Sequence, residues 1–305
     1  MTDQEKTIPD RYDEILTVDK EKNRIIPGTL YLVATPIGNL ADLSERAVKV
    51  LSGVDFIAAE DTRNSGRLLD YLGIRKPMIS YFEHNKRERG EIICERLGAG
   101  ESCALITDAG TPAISDPGED IVRLCAERGI SVTSVPGCCA GITALTLSGL
   151  PTGRFTFEGF LSVNKAERSK HLDSLRHETR TMIFHEAPHK LRATLDDFLE
   201  VFGPDRRISL CRELTKLNEE IMRVTLREAV DYYAENAPRG EYVLVVAGCP
   251  ADAADDAPFW ADMTVPEHVA YYEASGLARK DAIKAAARDR GVQKNEVYQA
   301  VLNQT

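Results

Sequence analysis

Short apolar runs alternate with amphipathic stretches from residue 28 onward. Five runs in the first half are rich in β-branched and aromatic residues, as buried strands are: TLYLVATP (29–36), FIAAED (56–61), MISY (78–81), ALITDAG (104–110) and SVTSVPG (131–137). Between them apolar residues recur at helical spacing, as Leu43, Ala47 and Leu51 do. Strands separated by helices need crossover connections, so the pattern predicts an α/β domain with a largely parallel sheet over residues 28–149.

A second set of apolar runs begins after Pro151 and Gly153, which mark a natural boundary. The runs are RFTFEGFL (154–161), TMIFHEA (181–187), RISLCREL (207–214), IMRVTL (221–226) and EYVLVVAG (241–248). The last three follow one another with one clear helical pattern among them, which favours antiparallel pairing. The sequence therefore predicts a second α/β domain with a mixed sheet over residues 150–249.

The two ends of the chain have a different character. Residues 1–27 form a polar leader, and residues 250–262 form an Ala/Asp/Pro linker without periodicity. Residues 263–305 hold three short helical patterns separated at Gly276 and Gly291, where helices commonly end. Three small helices with short turns predict a helix-turn-helix appendage.

Charge changes this picture only locally. The formal net charge of −10 argues against a general nucleic-acid coat, because non-specific affinity comes from neutralising phosphates. It does not exclude an enzyme that contacts RNA through one basic surface, and basic residues cluster from Arg279 to Lys294, among them Lys280 and Lys284. This stretch is either an RNA contact or a small packing or dimerisation subdomain, and the sequence favours neither.

The expected location is the cytoplasm. The N-terminus lacks the basic start and apolar core of a signal peptide, and no apolar run approaches the roughly 18 residues of a membrane span. The seven cysteines show no disulfide-scaffold spacing and are interpreted as reduced thiols.

Several common signatures are excluded. The chain holds neither G-x-x-x-x-G-K-[ST] nor G-x-G-x-x-G after a strand, which argues against a P-loop nucleotidase and a dinucleotide fold. His185 to His189 matches H-E-x-x-H, a zinc motif that requires both histidines on one helical face. Pro188 disfavours such a helix, so we predict a strand ending in a turn, a helix starting near Pro188, and no metal.

Three loops rich in glycine and proline follow predicted parallel strands: residues 34–40, 107–112 and 135–140. Ligands of parallel sheets bind beyond the carboxyl ends of strands, where such loops converge. Glycine permits close approach of the backbone, and proline stiffens the loop. Each loop alone is equally compatible with an ordinary turn, but three in one domain favour a cofactor cleft.

Charged residues at strand ends are candidates for chemistry. Glu60, Asp61 and Arg63 end the second strand, where Asp61 or Thr62 is also a normal helix cap; Glu60 and Arg63 are the better functional candidates. Lys216 follows a strand of the second half. Together with Lys165 and Arg168, it is either an ordinary solvated side chain or a phosphate contact.

The chain resembles the ribosomal small-subunit cytidine 2′-O-methyltransferases within the tetrapyrrole methylases. The resemblance spans residues 28–248, and the helical tail is similar to the tail of that family. The matching segments include TPIGNL, AEDTR, DAGTP, VPGCCAG, HEAPHKL, RELTK and GEYVLVVAG. Their combination and order are far more specific than any one of them.

This resemblance implies two α/β domains with S-adenosylmethionine between them, a homodimer, and methylation of the ribose 2′-hydroxyl of cytidine 1402 in 16S rRNA of the small ribosomal subunit. The cofactor contacts that it implies are Pro36, Asp108, Ala109, Gly110, Thr111, Ile114, Cys139, Ala140, Glu186, Leu214 and Ala247. We hypothesise that Glu60 or Asp61 is the base or orienting group. Arg63 and Lys216 would hold phosphate or ribose oxygens, and the RNA contacts would be Lys165, Arg168, Arg279, Lys280 and Lys284.

Two other functions remain compatible with the residues. A small-substrate methylase of the tetrapyrrole or diphthamide type would use the same fold, although AEDTR, RELTK and the helical tail favour RNA. A non-catalytic nucleic-acid-binding regulator built on the terminal helices would leave the three converging loops unexplained.

Overall fold

The computed structural model describes residues 24–250, 260 and 263–302. Most of the predicted leader (1–27) and most of the predicted linker (250–262) lie outside the described residues, and the domain boundaries stay a prediction. The described residues up to Ala247, apart from 177–179, form one compact unit. Residues 177–179 and the described residues from Gly248 onward form another.

The first sheet is wholly parallel, as predicted. Its strands are Thr29–Val33 (β1), Phe56–Ala59 (β2), Met78–Ser80 (β3), Cys103–Ile106 (β4) and Ser131–Val135 (β5), in the order β3-β2-β4-β1-β5. The first helices are Glu45–Gly53 (α1), Thr62–Tyr71 (α2), Lys86–Gly98 (α3) and Gly118–Glu127 (α4). Alternate strand residues face opposite sides, so α1 and α2 cover one face and α3 and α4 the other.

The second sheet is mixed, which confirms the expected pairing. Its strands are Phe155–Phe160 (β6), Thr181–Glu186 (β7), Arg207–Arg212 (β8), Glu220–Thr225 (β9) and Tyr242–Val246 (β10), in the order β6-β7-β10-β8-β9. Only β6 and β7 are parallel. Helix α5 (Ala140–Leu147) packs on one face, and α6 (Lys165–Ser174), α7 (Leu191–Phe202) and α8 (Leu226–Glu235) pack on the other.

Strand direction decides which residues of the second sheet can meet the loops of the first. Strands β7 and β8 both run antiparallel to β10, and Tyr242 at the start of β10 pairs with Glu186 and Arg212 at their carboxyl ends. The carboxyl ends of β7 and β8 and the start of β10 therefore lie at the same edge of the second sheet.

The C-terminal unit holds three helices, Val265–Ala274 (α9), Arg279–Asp289 (α10) and Lys294–Leu302 (α11). Gly276 and Gly291 have positive φ at the two breaks, as predicted for helix ends. Val269, Ile283 and Val297 are buried at the centre. His268 is also buried, and its ring stacks on Trp260 and Tyr272.

Candidate active site

A cavity of about 610 Å³ lies where the strand ends of the two sheets meet. The predicted site residues that line it are Glu60, Asp108, Ala109, Gly110, Thr111, Ile114, Cys139, Ala140, Glu186 and Leu214. Its volume falls within the usual range for sites that bury a small organic ligand. The structure thus brings most of the expected cofactor residues to one place.

Hydrogen bonds join the three glycine- and proline-rich loops into one wall. The Thr35 amide donates to the Gly110 carbonyl at 2.9 Å, and the Gly110 amide donates back at 3.1 Å. The Thr111 hydroxyl donates to the Cys138 carbonyl at 2.8 Å. Gly110 has a φ of +86°, a conformation that favours glycine. The loops therefore converge as predicted, and Ile37 from the first loop reaches the cavity.

The wall continues through a strained turn. Ala113 and Ser115 have φ values of 70° and 63°, which non-glycine residues rarely adopt. The Asp116 carboxylate accepts hydrogen bonds from the amides of Ala113 (3.0 Å), Ile114 (3.1 Å) and Gly118 (2.7 Å). These bonds hold the turn against its strain, so that Ile114, Ser115 and Asp116 all line the cavity.

Glu60 and Asp61 are adjacent but differ in their environments. Burial, together with the charges of Asp108 and Asp116, raises the pKa of Glu60, which lines the cavity. Asp61 instead caps α2 and bonds the exposed guanidinium of Arg63 at 2.8 Å. Hydrogen bonds from Arg63 lower the pKa of Asp61 to about 2. The capping role of Asp61 is confirmed, and the two carboxyls have opposite tendencies to bind a proton.

The residues lining the cavity carry acidic but no lysine or arginine side chains. Their carboxyl groups belong to Glu60, Asp108, Asp116, Glu186 and Glu241. Such a surface attracts a cation and repels a phosphate. Glu241 stands at a predicted strand start, where a charged residue is either functional or simply solvated, and Asp116 was not predicted as a site residue. Their proximity depends on how the two sheets are arranged.

The H-E-x-x-H segment is divided between a strand and a turn. His185 and Glu186 end β7, and α7 begins at Leu191, three residues later than the predicted start near Pro188. The Glu186 carboxylate accepts from the Thr194 hydroxyl at 2.6 Å and from the Ala187 amide at 2.8 Å. The helical spacing of a zinc site is therefore not present. Among the described residues, no cluster of three or more histidine, cysteine or acidic side chains is placed to hold a metal ion.

Phenylalanine side chains complete the opposite wall. The rings of Phe157 and Phe160 both approach the His185 ring edge-on, with centroids 5.3 Å away. Burial lowers the pKa of His185, which keeps its ring neutral near pH 7. All three line the cavity; the two phenylalanines were not predicted as site residues, and His185 was considered only as part of the rejected zinc motif. The sequence shows the aromatic run FTFEGF, but the face of the sheet to which Phe160 points depends on a β-bulge described below.

Lys216 lies outside the cavity lining, in a network of ion pairs. Its ammonium donates to carboxylates of Glu213 and Glu241, each at 2.9 Å. Its stem covers Gly38, where an added Cβ would lie 2.4 Å from the Lys216 Cγ. Glu213 has a φ of 51°, so this turn is also strained. Lys216 thus joins the first loop to the start of β10.

Ala247 lies away from the cavity lining. The resemblance implied that it contacts the cofactor, as Glu186 and Leu214 do, from the end of its strand. Because β10 runs antiparallel to its neighbours, Val246 pairs with Met182, at the opposite end of β7 from Glu186. Tyr242 and Val243, at the start of β10, line the cavity instead. Pro36, Asp61 and Arg63 are also outside the cavity lining. Pro36 and Asp61 directly adjoin lining residues in the sequence, namely Ile37 and Glu60.

The predicted RNA contacts differ in exposure. Arg168 forms an ion pair with Asp197 at 2.8 Å, and both side chains are mostly buried. Lys165 is exposed at the start of α6. In the C-terminal unit, Arg279, Lys280 and Lys284 are exposed on α10.

No helix in the described part of the chain is long and apolar enough to cross a membrane.

Comparison with known proteins identifies the family and supports the fold. The family model of the tetrapyrrole (corrin/porphyrin) methylases matches residues 29–230. Ribosomal RNA small subunit methyltransferase I of Synechocystis sp. is 46% identical over 90% of this chain and 98% of that protein. The proteins of the same name from Bacillus subtilis and Pseudomonas aeruginosa are 46% and 47% identical over 90% of this chain, and over 94% and 97% of their own lengths.

Solved structures with the same fold are more distant in sequence. Uroporphyrin-III-C-methyltransferase from Thermus thermophilus has a TM-score of 0.52 at 19% identity, covering 72% of this chain and 94% of that one. A diphthine synthase has a TM-score of 0.54 at 12% identity, covering 72% and 89%. These likenesses concern the fold alone. The family match and the close relatives show that this chain belongs to the tetrapyrrole methylases and, within them, to the family of ribosomal RNA small subunit methyltransferase I.

Proposed function

We propose that this protein transfers a methyl group from S-adenosylmethionine to the ribose 2′-hydroxyl of cytidine 1402 in 16S rRNA of the small ribosomal subunit. The observation that carries the proposal is the acidic cavity between the two sheets, with Glu60 in its wall. The close relatives named for small-subunit rRNA favour an RNA acceptor over a tetrapyrrole or diphthamide substrate.

The residues of the cavity fit the methyl donor. The donor carries a sulfonium and an ammonium group, and the lining supplies the carboxylates of Glu60, Asp108, Asp116 and Glu186, besides that of Glu241, which Lys216 already holds. Gly110, Ile114, Ala140 and Leu214 supply the close and apolar surface that an adenosine requires. When bound, S-adenosylmethionine supplies an electrophilic methyl group that needs no metal to activate it.

The protein has to orient a ribose hydroxyl and accept its proton. A neutral alcohol is a poor nucleophile, so a base in the wall increases the rate. Glu60 is the better candidate of the predicted pair, because burial and the neighbouring Asp108 make it the stronger proton acceptor. Asp61 is already engaged as a helix cap and as the partner of Arg63. We assign Asp61 the role of orienting the start of α2 and the side chain of Arg63.

The RNA backbone has to be bound outside the acidic cavity. Arg63, Lys165 and the exposed face of α10 with Lys280 and Lys284 are the proposed phosphate contacts. Arg168 is a weaker candidate, since Asp197 already holds it. We further propose that the enzyme acts in the cytoplasm as a homodimer, which sedimentation of the purified protein would test.

The decisive experiment supplies purified protein and radiolabelled S-adenosylmethionine to small subunits from cells that lack this protein. We expect about one methyl group to be incorporated per subunit. The phosphodiester bond that follows cytidine 1402 should then resist alkaline cleavage, and subunits that already carry the modification should take up no label. A matched incubation with free 16S rRNA distinguishes the two forms of substrate. Label at another nucleotide, on a base, or on no RNA would contradict the proposal.

A further inference from the structure

A second groove, of about 730 Å³, adjoins the proposed methyl-transfer cavity. The two share part of their walls, including Ile114, Cys139, Phe157 and Phe160. Phe155, Ile142 and Glu119 line the groove but not the cavity. A ligand that fills the cavity can therefore extend into the groove without crossing solvent.

A β-bulge brings three phenylalanines to the face of β6 that borders the groove. Phe155 pairs with Thr181 and Phe157 with Ile183, but the register then shifts, so that Phe160 pairs with His185. In an uninterrupted strand, residues three apart point to opposite faces. The extra residue, with Gly159 at a φ of +63°, places Phe160 on the same face as the other two.

These rings remain exposed although they are large and apolar. Phe155, Phe157 and Phe160 are 38%, 39% and 59% exposed, because α5 covers only part of this face. Phe157 packs against Gly141, where an added Cβ would lie 3.4 Å from the ring. Phe160 stands at the junction of groove and cavity, held edge-on to His185. It offers a fixed aromatic surface beside the place where chemistry is proposed.

The charges of the groove exclude one class of occupant. Its lining contains no basic side chain, and its two carboxylates belong to Glu119 and Glu158. Glu158 is bonded to His171 at 2.8 Å, whereas Glu119 is exposed in the first turn of α4. A phosphate would be repelled here. A flat, uncharged ring that carries an exocyclic amine would stack on Phe160 and donate to a carboxylate.

We propose that this groove holds the nucleobase of the target nucleotide, stacked on Phe160, with Glu119 as acceptor for its exocyclic amine. The inference rests on the proposed function. The base is one glycosidic bond from the ribose, so a ribose hydroxyl in the cavity leaves its base in the adjoining space. The occupant is thus an amine-bearing pyrimidine turned out of its stack, and the groove contributes to the choice of cytidine.

The test measures small-subunit methylation and donor binding separately for Phe160→Ala and Phe160→Trp. Loss of one base–aromatic stack lowers kcat/KM by about 10- to 100-fold. We expect the change to appear mainly as a higher KM for the subunit and activity to be largely restored by tryptophan. The loss of donor affinity, measured by calorimetry, should be much smaller than the loss of kcat/KM, although Phe160 lines both the cavity and the groove. Tyr232→Ala is the matched control, since Tyr232 is 42% exposed on α8, which packs against the other face of the sheet.

Three results would overturn the assignment. Donor affinity that falls by the same factor as kcat/KM would make Phe160 a contact of the cofactor and not of the base. A change of oligomeric state by light scattering would make the phenylalanine face a contact between copies. A Glu119→Ala enzyme that keeps the full preference for cytidine over uridine at the target position would remove the proposed acceptor. Wild-type protein that methylates no subunit would instead refute the proposed function itself.

Discussion

Replacing Asp116 by alanine tests whether the strained turn of the cavity wall is held by one side chain. The carboxylate accepts three backbone hydrogen bonds, at 3.0, 3.1 and 2.7 Å, and each bond to this charged group contributes a net stabilisation of about 1.5 kcal/mol. Once they are lost, Ala113 and Ser115 are free to leave the left-handed region, which returns about 1–2 kcal/mol for each of the two residues. We therefore expect the free energy of unfolding to fall by about 1–2 kcal/mol, with the turn displaced.

The displaced turn should affect binding more than stability. Ile114, Ser115 and Asp116 all line the cavity, so we expect donor affinity to fall at least tenfold, measured by calorimetry beside urea unfolding. Adding Ala113→Gly to the Asp116→Ala protein should recover part of that affinity, because glycine adopts a positive φ without a steric penalty. An Asp116→Ala protein with wild-type unfolding midpoint and donor affinity within twofold of wild type would refute this explanation of the turn.

Three other predictions follow from the site. Glu60→Gln should lower kcat by about 10²- to 10⁴-fold, as loss of a general base does, while Asp61→Asn lowers mainly thermal stability; equal losses in both would contradict the assignment. Because the pKa of Glu60 is raised, the wild-type methylation rate should fall as pH is lowered, and it should begin to fall at a higher pH than an ordinary glutamate would give. A rate that stays constant through mildly acidic pH would exclude Glu60 as the base. Lys216→Met, which keeps the stem over Gly38, should retain more donor affinity than Lys216→Ala; equal affinities would show that packing is not its role.

Sequence patterns were sufficient for the elements and for the first half of the site. The runs of apolar residues located each strand of both sheets, because parallel central strands and buried antiparallel strands leave clear signals. The convergence of the loops at Gly110, Thr35 and Cys138 followed from a rule about parallel sheets that does not require knowing side-chain positions.

The second half of the site was harder to predict because strand direction is not written in local composition. Ala247 was expected at the cavity, yet the antiparallel β10 carries it to the other end of the sheet and brings Tyr242 there instead. The face of the sheet to which Phe160 points depends on a one-residue β-bulge, which the alternation of apolar and polar residues does not reveal. Whether Lys216 faces solvent or two carboxylates also depends on contacts between segments far apart in the chain.

The excess of carboxylates around the cavity bears on how the enzyme turns over. In the proposed reaction, methyl transfer would convert the sulfonium of the donor into an uncharged thioether, so the carboxylates that attract the donor would hold the product less strongly. S-adenosylhomocysteine should accordingly leave readily and inhibit weakly, and the gap between the two affinities should narrow as ionic strength rises. Under the proposed function, the same negative wall would repel the sugar–phosphate chain and admit only the reacting nucleoside.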